Sequence, residues 1–233
     1  MNSIWIKKIC SYKHSRRSLN TAKNLIDCKI KRRKILLKNY RRQVFYNTRK
    51  DYPKDIQGLL LYEARVAKIF WKEFKEIIPV WTKFKGREPR EGDITNRLLD
   101  IGYHHLTVKI IKIFQKYDIS PALGIIHSAQ QSDSAPLAYD LMEMFRADIV
   151  DSEVIKFLHQ KKKPVSIITE KETAKFVSKL NNRLAHKYYL KNFKQCHTYQ
   201  YYMELQVLKF IKAVNIKSVF TPIRLPVRHE NRC

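Results

Sequence analysis

The sequence predicts an all-α, multi-helix fold, and three observations carry the prediction. Only five glycines and eight prolines interrupt 233 residues, too few turn-formers for a β architecture of many short strands. Apolar residues recur at helical spacing through most of the chain. Helix-start signals stand ahead of those runs, at Asp93 and at Thr169 with Glu172 three residues on. Hydrophobic residues make up 44% of the chain, enough for a sizeable core.

Residues 1–20 are basic but lack the apolar stretch of a secretory signal, and are expected to form an N-terminal arm. From about Thr21, the residues Leu25, Ile26, Ile30, Leu36 and Leu37 define a helix with a buried stripe and a positive outer face. Asp51-Tyr52-Pro53 breaks the chain. A helix over about 55–78 follows, with Leu59, Val66, Phe70 and Phe74 among its apolar positions. The turn-rich stretch 83–92 leads to a helix of roughly 94–116 capped by Asp93. Leu123 to Ile126 reads as a buried extended segment or a helix end, and after a polar loop Pro136 opens a helix bearing Asp140 and Glu143. Asp151 is expected to cap a short helix over about 152–160, and Thr169 with Glu172 opens one running to about Lys187. A last helix, about 197–214, places Tyr201, Leu205, Leu208 and Ile211 on one side. Residues 216–233 then form a basic, extended tail, leaving 21–215 as the helical domain.

Charge narrows the function. Lys and Arg outnumber Asp and Glu by 47 to 21, a net charge of +26. Such an excess repels itself unless a polyanion offsets it, so nucleic acid is the first partner to expect and an acidic membrane surface the second. Residues 1–50 contain 16 Lys or Arg and a single acid, Asp27. The clusters Lys31, Arg32, Arg33, Lys34, then Arg41, Arg42, then Lys161, Lys162, Lys163 are the candidates for phosphate contact. No uncharged apolar run reaches the roughly 18 residues of a membrane span. The four cysteines have no zinc-type spacing. They fit a reducing compartment, and a cytoplasmic location is expected.

Four side chains look misplaced and mark a candidate site. Glu63 lies inside the apolar stripe of its helix, with Leu59, Leu60, Val66 and Ala67 at its helical neighbours. An ionised carboxylate there must be paired or metal-bound, or else lie at the stripe's edge and reach solvent. Asp140 and Glu143, three apart on a greasy helix, share a face and repel each other. His127 ends an apolar run close by. A divalent metal would reconcile the acids with the histidine. The other reading makes His127 an ordinary core histidine and gives Glu143 to Arg146.

The chain also resembles the CRISPR-associated integrase of spacer acquisition, the "Cas one" endonuclease family. The likeness runs in order through Ala22-x-x-Leu25-Ile26-x-x-Lys29-Ile30, Leu60-x-Tyr62-Glu63-Ala64 and Phe70-Trp71. It continues through Gly86-Arg87, Asn96-x-Leu98-Leu99-x-x-Gly102-Tyr103, Gly124-x-x-His127 and Tyr139-Asp140-Leu141-Met142-Glu143-x-Phe145-Arg146. The resemblance implies an all-α catalytic domain that cuts DNA and joins short duplexes to a repeat array with Mg2+ or Mn2+. It implies metal ligands at Glu63, His127 and Glu143, with Asp140 also approaching the ion. Double-stranded DNA, a homo-oligomer and a small ferredoxin-like adaptation subunit are the implied partners. Relatives carry a β domain ahead of the first matched helix, where this chain has a basic segment of about 20 residues. The expectation is therefore a naturally compact form, with the small subunit's role in question. A branched-DNA repair nuclease, a transposon-type integrase and a non-catalytic DNA-binding homologue are the other jobs such a chain would carry.

Overall fold

The computed structural model describes residues 3–42, 53–89, 92–127, 135–161, 164–165, 167–190 and 194–223. Its helices are α1 Ser3–Lys13, α2 Arg16–Asn39, α3 Ile56–Lys75, α4 Ile94–Lys116, α5 Pro136–Met142, α6 Ser152–His159, α7 Glu170–Ala185 and α8 Tyr199–Asn215. A π-helical stretch, Ala147–Asp151, runs directly into α6. The strands β1 Lys187–Leu190 and β2 Gln195–Thr198 pair antiparallel between α7 and α8, with Tyr188 opposite His197.

Helix α4 is the hub. It packs against α5, α6, α7, α8 and the π-helical stretch. Its sequence explains this: Leu98, Tyr103, Leu106, Ile110 and Phe114 are all buried, an apolar surface wider than one stripe. The Asp93 carboxylate starts the helix by accepting from the backbone N–H groups of Thr95 (2.9 Å) and Asn96 (3.0 Å). Gly102 lets the π-helical stretch lie flush on α4, because a Cβ there would meet Val150 Cγ1 at 2.4 Å. Thr169 and Glu172 form the expected capping box at the start of α7.

Five local expectations change. The N-terminal segment is not an arm over its described length. Trp5, Ile9 and Tyr12, spaced four and three apart, are buried, and the Trp5 indole N–H donates to the Ser120 carbonyl at 2.8 Å. Asp151 caps nothing: it is buried and accepts from the Tyr103 hydroxyl at 2.5 Å. The chain runs through it in helical geometry. The hairpin replaces the end of one expected helix and the start of the next, and Thr198 caps α8 through the Tyr201 N–H (3.1 Å). On α8 the buried face holds Tyr199, Tyr202, Met203, Gln206 and Phe210, while Tyr201 is exposed. Polar Gln206 belongs to the core face because its side chain bonds both the N–H and the carbonyl of Ile223. The start of the expected tail is consequently fixed, with Phe220 fully buried and its carbonyl accepting from Asn24. Residues 224–233 of that tail lie outside the described residues.

Candidate functional site

Asp140 organises the loop that carries His127. The carboxylate is fully buried on α5 and accepts from the backbone N–H groups of Ile125 (2.5 Å), Ile126 (3.1 Å) and His127 (3.0 Å). The His127 ring donates a further bond from Nδ1 to Asp140 Oδ1 at 2.7 Å. A carboxylate can only accept, so the ring proton lies on Nδ1 and the neutral imidazole keeps its lone pair on Nε2. Asp140, expected among the metal ligands, is therefore engaged through both oxygens in orienting its neighbours. Gly124 makes the wrap possible: a Cβ there would stand 2.4 Å from the His127 carbonyl oxygen and 3.0 Å from Asp140 Oδ2.

Glu143 follows the last turn of α5. Its Oε1 pairs with Arg146, and its Oε2 lies 2.7 Å from the Lys29 ammonium. Lys29, on α2, is 5% exposed and also pairs with Glu63 on α3. Glu63 is thus brought to Glu143 across three helices, with one cation between them. Among the described residues no three histidine, cysteine or carboxylate side chains are already gathered as ligands of an ion, and Lys29 stands between the two glutamates. The space between the two glutamates is filled by the Lys29 ammonium.

Cation–ring packing fixes the surroundings. One turn beyond Lys29, the Arg33 guanidinium sits 4.3 Å from the Phe70 ring centroid and 5.1 Å from that of Trp71. Arg146 lies 3.7 Å over the Tyr103 ring, whose hydroxyl is tied to Asp151. A cavity of about 440 Å³ opens here, lined by Leu60, Arg87, Tyr103, His127, Glu143 and Arg146 among others. Arg87 is held on its wall by Asn96 and Asp100.

The electrostatics follow from these contacts. The bond to Asp140 raises the His127 pKa above its ordinary value, outweighing the opposing effect of burial. Burial alone would raise the Glu143 pKa, but Arg146, Lys29 and Arg33 together hold it well below the usual carboxylate range. Burial would lower the Arg146 pKa, and Glu143 reverses that and raises it.

The basic clusters divide. Lys31 and Arg41 are exposed, and Lys34 is half-buried. Arg32 and Arg33, expected on the outer face, are buried: Arg32 Nε donates to Asp148 at 2.6 Å, and Arg33 is stacked on α3. Arg42 pairs with Glu73 at 2.8 Å and Lys161 pairs with Glu172. Lys162 and Lys163 lie outside the described residues. Lys29 was the residue that sequence reasoning missed. Its signal was its place in the stripe, four beyond Leu25 and three beyond Ile26, where a lysine needs a buried partner.

Fold and site together define a strongly basic helical protein built around an acid–histidine centre. The family model described as CRISPR associated protein Cas1 matches residues 2–194. The chain belongs to that family. It is 29% identical over 165 residues to the CRISPR-associated endonuclease Cas1 1 of Saccharolobus solfataricus, covering 65% of this chain and 46% of the relative. The chain spans about half the length of that curated relative. Its fold is like that of a CAS1 protein from Thermotoga maritima, with a TM-score of 0.81 and 14% identity over 94% of this chain and 74% of the other. It is also like a casposase bound to integration product, with a TM-score of 0.80 and 22% identity over 97% and 72%. No helix among the described residues is long and apolar enough to cross a membrane.

Proposed function

We propose that this chain is the catalytic part of a metal-dependent DNA integrase of CRISPR spacer acquisition, joining 3′-hydroxyl ends of a short duplex to phosphodiesters at a repeat border. The observation that carries the reading is that Glu143, joined to Glu63 through Lys29, lines one cavity with an oriented His127 in a member of this family. The donor chemistry fits Mg2+ or Mn2+. Two carboxylates already share one cation, and the His127 ring is fixed through Nδ1 by a buried acid, the arrangement that metal-binding histidines use. Glu63, Glu143 and His127 Nε2 would hold the ion, and Asp140 would act behind the histidine. When bound, the ion supplies a Lewis acid for the phosphoryl oxygen and stabilises charge on the attacking or leaving oxygen.

The chain's own side chains would do the rest. Asp140 keeps the imidazole turned towards the cavity, and Arg146 keeps Glu143 ionised. Exposed lysines and arginines such as Lys31 and Arg41 would bind the duplex through its phosphates, so affinity would fall steeply with salt. A homo-oligomer and a small ferredoxin-like subunit are the proposed assembly partners. The test is a joining assay with a labelled duplex and a supercoiled repeat plasmid in Mn2+. Label joined to the plasmid by the native chain, and lost in Glu63→Ala and His127→Ala variants that still bind DNA, supports the proposal. Plasmid cleavage without joining assigns a nuclease instead. Joining that ignores the repeat assigns a transposon-type integrase, and inert native protein assigns a DNA-binding homologue.

A further inference from the structure

We propose that Lys29 is a tethered cation that occupies the place of the divalent ion and competes with it, setting the affinity of the centre. This inference rests on the metal reading of Glu63, Glu143 and His127. Three observations carry it. The Lys29 ammonium contacts both glutamates, one from α3 and one beyond α5, in a position 5% exposed to solvent. The other cations near Glu143 do not bridge the two acids. Arg146 pairs with Glu143 on Oε1 and rests on Tyr103, and Arg33 is held on Phe70 and Trp71. Glu143 is therefore secured from its far side, and only Lys29 has to leave for Oε2 and Glu63 to receive an ion. A buried and a half-buried carboxylate held this close without a cation would repel each other, so the lysine keeps the metal-free centre folded in its working shape. A flexible four-carbon stem with a compact charge suits this exchange better than a planar guanidinium would.

Removing the competitor should tighten metal binding and weaken the metal-free fold. Mn2+ binding to the full chain is followed by the electron paramagnetic resonance signal of the free ion, for the native protein and for Lys29→Met, Glu63→Gln and Glu143→Gln. Lys38→Met, an exposed position on the same helix, is the control. Lys29→Met is expected to bind Mn2+ at least about tenfold more tightly, about 1.4 kcal/mol. It should also melt earlier than native protein in chelator and recover when Mn2+ is added. In the native chain, amine acylation of Lys29 read by mass spectrometry should be slow in chelator and rise with Mn2+, as the displaced ammonium turns out towards the cavity. That measurement decides the matter if Lys29→Met fails to fold.

Unchanged or weaker Mn2+ affinity in Lys29→Met, with binding still abolished by Glu63→Gln, overturns the competitor and leaves the metal centre standing. Acylation of Lys29 that does not rise with bound Mn2+ does the same. Absence of any Mn2+ binding sensitive to Glu63→Gln and Glu143→Gln overturns both readings.

Discussion

His127 Nδ1 stands 2.7 Å from Asp140 Oδ1, and the same buried carboxylate takes three consecutive backbone N–H groups from Ile125 to His127. One acid thus fixes both the loop and the ring it carries. Asp140→Asn would place an amide N–H2 among donors and is expected to cost about 1–3 kcal/mol. The pKa of His127 should fall in that variant, read from its ring-proton shifts in protein freed of divalent ions. The sign follows from the raised folded value. The contact stabilises the fold fully below the unfolded value near 6.5, and its contribution is lost as pH rises through the folded pKa. Stability of native and variant protein should therefore differ most on the acid side of that window. An unchanged His127 titration would remove the proposed role of Asp140.

Gly102 on α4 and Val150 in the π-helical stretch lie in close contact. Gly102→Ala brings a Cβ to 2.4 Å from Val150 Cγ1, so the backbone or the valine must move. We expect a loss of about 1–3 kcal/mol in urea unfolding. Gly102→Ala with Val150→Ala should recover part of it. If the double change is no better than the sum of the single ones, the contact does not limit the packing.

Arg33 and Lys31 should separate stability from DNA binding. Arg33→Met removes a buried guanidinium from the faces of Phe70 and Trp71 and is expected to destabilise by about 1–3 kcal/mol. It should leave the salt dependence of DNA affinity unchanged. Lys31→Ala should do the reverse, lowering the slope of log K against log salt by about 0.9 for one lost phosphate contact. A slope that changes with Arg33 would mean that the side chain leaves its rings when DNA binds.

Much of this architecture was legible because local signals agree with it. Asp93 and the Thr169–Glu172 box announce their helices, and Glu63 announces itself by sitting in an apolar stripe. What stayed hidden depends on contacts between distant segments. Lys29 and Glu63 are 34 residues apart, and Arg32 meets Asp148 across 116, so Arg32 looked like part of a phosphate-binding outer face. The hairpin escaped because four-residue strands of Lys-Tyr-Tyr-Leu and Gln-Cys-His-Thr carry no readable period beside two strong helices. The buried face of α8 escaped because polar Gln206 finds its partner, Ile223, beyond the helix.

Asp148 should behave as a structural acid. Its Oδ2 accepts from Arg32 Nε at 2.6 Å and from the Tyr199 hydroxyl at 2.8 Å, and its carbonyl receives Ser152 at 2.6 Å. Asp148→Ala takes the carboxylate from a buried guanidinium and is expected to cost about 3–5 kcal/mol. Asp148→Ala with Arg32→Met should be milder. Equal melting temperatures for the single and double variants would show that the charge pair is not what the core requires.

The hydroxyl of Tyr12 reaches the carbonyl of Ser218, 206 residues later, and Asn24 reaches Phe220 across 196. During synthesis, then, α1 and α2 leave the ribosome long before the segment that closes over them has been made. Contacts so remote in sequence form late. Until translation passes Phe220, Tyr12 and Asn24 must wait for the carbonyls that hold them in the folded chain.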